Sequence, residues 1–195
     1  DIISIIVEPE TDNMKAYLAY AKANRAALYL DLARGFDPLE NNYTDVSAVK
    51  GLTVPKITET TTETEARNNP RLTRSEMFQF IFDDLDAAEE LLTGNSHSAG
   101  KDVPSLAVVY GLKARAYLWL GGFDSSNYAQ AATYARKAIE LNGEWGKPYM
   151  LIAQMYASSP NWSDEAALNK CVFFAVIDKL QRAKSVDPSC AEEAD

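Results

Sequence analysis

The sequence predicts an all-α protein, stacked helical hairpins (an α-α superhelix) with one long irregular loop excursion. Three observations predict it. Apolar residues recur at steps of three and four over most of the chain. Alanines alternate with large rings along those stripes, which lets helices approach closely while the rings fill the spaces between turns. One Tyr-Ala-Tyr pattern occurs twice at a constant offset.

Residues 1–12, DIISIIVEPETD, mix β-branched residues with a proline and acids, and predict an extended lead-in. With Asp at position 1 and no initiator Met, the chain is expected to be a mature or trimmed product. From Asn13 to Arg34 the pattern is helical, with Ala21, Arg25, Leu28 and Leu32 on one face and Gly35 as the stop. Arg25 interrupts that stripe; its stem is expected to be buried and its head paired with an acid on a facing helix.

Residues 37–72 form the excursion. Asp37-Pro38 breaks the helix, and the acidic, threonine-rich run TETTTETEA, Thr58 to Ala66, predicts a solvated strand or loop. Long loops in compact domains often carry function, so Tyr43 and the stretch around Val54-Pro55 are candidates for ligand contact. Thr73 with Glu76 three residues on is a capping box, and Phe78, Ile81, Leu85, Ala88 and Leu92 make the stripe of the helix that follows, ended by Gly94. Its acids, Asp83, Asp84, Asp86, Glu89 and Glu90, are expected to line a solvated face. His97, the only histidine, lies in the polar loop GNSHSAGKD and is expected to be solvated.

The stretch Pro104 to Asn142 reads as a helical hairpin. Ala107, Tyr110, Ala114 and Tyr117 share one face, and Tyr128, Ala131, Ala132, Ala135, Ala138 and Ile139 form the answering stripe. The breakers and capping residues between them run from Gly121 to Asn127. Residues 144–195 repeat the pattern: Tyr149, Ile152, Ala153 and Tyr156, then Leu168, Val172, Ala175, Val176, Leu180 and Ala183, closed by Pro188. Tyr110, Ala114 and Tyr117 align with Tyr149, Ala153 and Tyr156, and Ala138 with Ala183. All this is expected to pack as one domain.

Composition narrows function. The 28 acids against 19 Lys and Arg, net charge −9, repel phosphate backbones and anionic bilayers, so nucleic acid is not an expected partner. Cys171 is expected in the core and Cys190 exposed, unbridged and without a metal motif. No nucleophile elbow, phosphate-binding glycine pattern or zinc spacing occurs, so no enzyme, no cofactor and no metal site is expected. The rings least explained by packing are Tyr43, Trp145 and Trp162. These are the candidate ligand-binding residues, since exposed rings stack on sugar faces; plugging a helix junction is the competing use of such rings.

Two resemblances sharpen this reading. YMLIAQMY followed by VIDKLQRAKSVDP resembles a tetratricopeptide repeat, with SSPNWSDEAALN, which includes Trp162, intervening where the standard turn is tight. ANRAALYLDLARGFDPL, the Val-Pro of GLTVPKITE, LTRSEMFQFIFDDLDAAEELL and PSLAVVYGLKARAYLWLGGFDSSNYAQAATYARKAIEL occur in the order seen in the amino-terminal half of SusD/RagB proteins. This similarity covers residues 13–142. It implies a non-enzymatic outer-membrane lipoprotein that captures glycans or peptides for nutrient uptake with a TonB-dependent (SusC-like) transporter, a periplasmic location being the alternative. The lipidation Cys is not in this chain. Tetratricopeptide-type protein–protein interaction without carbohydrate binding is the second expectation.

Overall fold

The computed structural model describes residues 2–37, 43–97, 104–158 and 164–194, and in these the fold is all-α as expected. The chain divides into two compact units, Asp1–Val109 and Tyr110–Asp195. The division falls in the first turn of α5, so the sequence boundary at residue 143 lies inside the second unit.

In the first unit, α1 (Ile2–Ile5) replaces the expected extended lead-in. Ile3 and Ile6 are half-buried and α1 packs on α2, so tertiary burial overrides the β-preference of isoleucine. Helix α2 (Asp12–Phe36) starts at Thr11, whose side chain accepts from the Met14 amide, and runs through Gly35 to a cap at Asp37. Its buried face is Ala16, Ala19, Tyr20, Ala23, Ala26, Leu30 and Ala33. Leu28 and Leu32, expected in the stripe, are exposed. The larger side chains misled the periodicity; the facing helix selects the alanine face because it approaches the backbone there.

Helix α4 (Arg74–Leu92) packs against α2 through Met77, Phe78, Ile81, Leu85 and Ala88. Both halves of the predicted capping box are made: the Thr73 side chain accepts from the Glu76 amide, and Glu76 accepts from the Thr73 amide. Gly94, at φ 70°, takes the left-handed turn that ends the helix.

In the second unit, α5 (Leu106–Gly121) and α6 (Asn127–Leu141) form the predicted hairpin. Its antiparallel register can be read from side chains: Tyr128 lies on Gly121, Tyr134 stacks on Tyr117 with ring centroids 5.7 Å apart, and Lys137 sits over the Tyr110 ring. Ala114, Ala131 and Ala135 are fully buried and form one cluster with Ile152 and Met155 of α7 (Lys147–Ala157). Helix α7 packs in turn on α8 (Ala166–Val186). The short 3₁₀ turn η1 (Pro188–Cys190) and α9 (Ala191–Ala194) close the unit.

The two cysteines exchange the places expected of them. Cys171 is exposed on α8, whereas Cys190 is buried. Gly146 explains the second: a Cβ there would lie 2.7 Å from Cys190 Sγ and 2.8 Å from Asp187 Cβ, so η1 can seat against the turn before α7. Asp187 latches the seat by accepting from the Gly146 amide at 3.0 Å and from the Ser189 amide and hydroxyl. Burial, then the Asp187 charge, pushes the Cys190 thiol up.

Hydrogen bonding holds the Asp187 carboxyl below its ordinary range, led by the Ser189 hydroxyl and then the Gly146 amide. Ser96 does the same for Asp12, Thr73 for Glu76 and Thr62 for Glu65. Each such group favours the fold above its unfolded pKa and loses that contribution as pH falls through the lower folded value. Stability is therefore expected to be flat with respect to these groups above about pH 5 and to fall below about pH 4. Urea midpoints across that range check it; a midpoint constant down to pH 3 would contradict it.

Candidate functional site

The excursion is far better anchored than its composition suggests. The Arg25 guanidinium donates to both carboxylate oxygens of Asp84 on α4, at 2.7 and 2.8 Å, and its remaining terminal nitrogen donates to Glu59 of the excursion at 2.8 Å. The ring of Phe80 lies 5.0 Å from the guanidinium carbon, adding a cation–π contact. These bonds raise the Arg25 pKa further, led by Asp84 and opposed by desolvation. The expected acid on a facing helix is thus Asp84, which is buried and not part of the solvated acidic face; Asp83, Asp86 and Glu90 are exposed.

Three further ties hold the excursion. The Tyr29 hydroxyl accepts from the Ile57 amide and donates to the Ile57 carbonyl. Arg71 donates to the carbonyls of Phe36, Leu52 and Thr53. Buried Asp37 accepts from Arg74 and from the Gly51 amide, where Gly51 turns at φ 73°. Leu52 forms an isolated antiparallel bridge with Thr73, and Val54, a candidate for ligand contact, points into the core.

Between these ties the threonine-rich run is not extended throughout. Thr62 and Glu65 make a second capping box, which nucleates α3 (Glu63–Arg67). The sequence carried that signal as T-x-x-E within TETTTETEA, masked by the β-branched composition around it. The turn creates an open groove of about 590 Å³ lined by residues from Lys56 to Pro70, among them Thr60, Thr61, Thr64, Glu65, Asn68 and Asn69. Hydroxyls, amides, one cation and one carboxylate make a hydrogen-bonding surface suited to a polyhydroxylated ligand.

The sequence-predicted rings are not gathered at this groove. Tyr43 is 97% exposed in the excursion. Trp145 is half-buried, its indole edge over Gly111, where a Cβ would come within 2.5 Å. It plugs the junction of α5 with the turn before α7. Trp162 lies outside the described residues. The groove residues themselves escaped sequence reasoning because threonine and asparagine carry no reactive signature.

His97 is half-buried and its Nδ1 meets Asn13 Oδ1 at 2.6 Å, with the rings of Tyr17 and Tyr20 beside it. It was expected to be solvated; the loop is drawn onto α2 because Asp12 accepts from both the amide and hydroxyl of Ser96. Burial raises the Tyr20 pKa, and its hydroxyl has no hydrogen-bond partner among the described residues.

A second groove, about 380 Å³, runs between α7 and α8. Met150, Ala153, Gln154, Ala157, Val176 and Leu180 line it together with Glu193 of α9. Among the described residues no group of three His, Cys, Asp or Glu side chains is placed to hold a metal ion, and no helix is long and apolar enough to cross a membrane. No family model matches the chain, and no curated protein matches it.

Proposed function

We propose that the chain is a non-enzymatic capture protein of the SusD/RagB type, binding glycan or peptide at the outer membrane together with a TonB-dependent transporter. The observation that carries this reading is the groove of the excursion with its threonine and asparagine side chains, held on the α2–α4 pair by the Arg25–Asp84–Glu59 clamp. Its donors and acceptors match the hydroxyls of a sugar or the backbone of an extended peptide, and its open form suits a polymer that passes through it. The resemblance of residues 13–142 to the amino-terminal half of SusD/RagB proteins supports the same reading, and its segments fold as α2, the excursion, α4 and the α5–α6 hairpin.

Calorimetric titration of the chain with neutral polysaccharides tests it. Saturable heat is expected, and Thr64→Ala with Asn68→Ala should weaken binding roughly tenfold, the loss of about two hydrogen bonds. Binding indifferent to that double substitution, or absent for every polysaccharide and peptide tried, would remove the groove from consideration.

A tetratricopeptide-type protein-interaction scaffold is the second reading. It is favoured by the second unit, where the repeated Tyr-Ala-Tyr pattern falls on α5 and α7 and an apolar groove stays open beside α8.

A further inference from the structure

The internal repeat states what the groove between α7 and α8 is shaped to hold. The alignment that carries Tyr110, Ala114 and Tyr117 onto Tyr149, Ala153 and Tyr156 also carries Gly111 onto Met150 and Leu118 onto Ala157. The alignment of Ala138 with Ala183 carries Ala131 onto Val176 and Ala135 onto Leu180. In the first hairpin, Ala114, Ala131 and Ala135 form the seat that takes Ile152 and Met155 of α7, with Leu118 packed at its side. Their counterparts, Ala153, Val176, Leu180 and Ala157, line the open groove. The same seat is therefore built twice, taken by α7 the first time and open among the described residues the second.

We propose that the α7–α8 groove docks an amphipathic helix of a partner protein, one that offers two aliphatic side chains three residues apart and acidic residues beside them. The aliphatic pair follows from the filled seat, where Ile152 and Met155 have that spacing. The apolar surface continues outward along α8 through Phe173 and Ile177, 62% and 49% exposed, on the face that holds Val176 and Leu180. No ring is required where Trp145 sits in the first seat, because Met150 occupies the position of Gly111.

The acidic flanks follow from charge. Helix α8 carries Lys170, Lys179, Arg182 and Lys184 against the single acid Asp178, which Lys179 pairs at 2.8 Å, so the helix is net positive in a chain of net charge −9. The acidic groove residue Glu193 is paired with Lys147 at 2.6 Å. A second copy of this chain fits less well: its own matching side chains, Ile152 and Met155, are buried, and two copies of net charge −9 repel. Docking of this kind is the helix-in-groove mode, in which apolar anchors supply affinity and flanking charges supply rate and specificity.

The inference rests on the scaffold reading and is independent of sugar binding. The probe is a fluorescein-labelled peptide of residues 143–157 bearing Lys147→Glu, which presents the aliphatic pair with added acid. The full chain should raise its anisotropy saturably, less so at high salt. Val176→Glu with Leu180→Glu should weaken binding at least about tenfold, the loss of two buried aliphatic contacts, and so should Ile152→Ala with Met155→Ala in the peptide.

Circular dichroism of the Val176→Glu, Leu180→Glu chain should match the parent, since both side chains border the open groove. No saturable binding by the folded parent chain, or equal binding by the substituted one, overturns the proposal. A parent chain that sediments as a dimer and becomes monomeric on the same substitutions also overturns it, by making a second copy the occupant. The scaffold reading fails separately: a chain that retains no protein in pull-downs from its native envelope, with the peptide still bound, counts against that reading alone and leaves the groove intact.

Discussion

Replacing Asp84 with alanine is expected to destabilise the first unit by about 3 kcal/mol, near the lower end of the roughly 3–5 kcal/mol found when one member of a buried ion pair is removed. The reason is what remains. The Asp84 side chain is only 4% exposed and receives both Arg25 and, at 3.3 Å, Lys22. Without it, two cations are left facing each other in a partly desolvated place, and only the Glu59 bond and the Phe80 ring still hold Arg25. Urea unfolding measures the loss; a change within about 0.5 kcal/mol, typical of a surface site, would contradict the clamp.

The same substitution should loosen the excursion, since Arg25 ties Glu59 to the helix pair. Faster proteolytic nicking between Thr58 and Ala66 is the expected sign. Replacing the pair together, Arg25→Met with Asp84→Leu, is expected to cost less than Asp84→Ala alone, because only Lys22 then loses its carboxylate and no second cation faces it. Any weakening of polysaccharide binding in both variants would place the clamp in the positioning of the groove and not only in its stability.

Replacing Ala114 with leucine is expected to cost about 1–3 kcal/mol by overpacking. Ala114 is fully buried at the centre of the cluster formed by Ala131, Ala135, Ile152 and Met155. A larger side chain must push α5 and α6 apart or displace Ile152, and either movement disturbs the nearly parallel stack of Tyr117 on Tyr134, whose planes differ by 3°. The melting temperature should fall by several degrees, as about 4–8 °C accompanies each kcal/mol in a small domain. An unchanged melting temperature would contradict the close approach of helices at this alanine.

How much of this was legible beforehand depends on where the determining interactions lie along the chain. The hairpin of α5 and α6, the stop near Gly121, the capping box at Thr73 and the stripe of Phe78, Ile81, Leu85 and Ala88 depend on residues within a few positions of one another, and periodicity reports them. Arg25 was legible as a buried cation awaiting an acid. Which acid was not, because Asp84 looks like its exposed neighbours until α4 is laid on α2.

The sequence by itself therefore determined the longer helices α2, α4, α5, α6, α7 and α8, most of their ends and the repeated Tyr-Ala-Tyr pattern, because these follow from local hydrogen bonding and spacing. Only the tertiary structure decided that α2 buries its alanines and leaves Leu28 and Leu32 exposed, that Cys190 is inside and Cys171 outside, and that Thr61, Thr64 and Asn68 share one groove. The first two outcomes depend on which face another segment covers, and that segment lies tens of residues away in the chain, whereas the groove follows from the short turn at Thr62. Helical period specifies which residues share a face, while the approach of the neighbouring element selects the face that is buried.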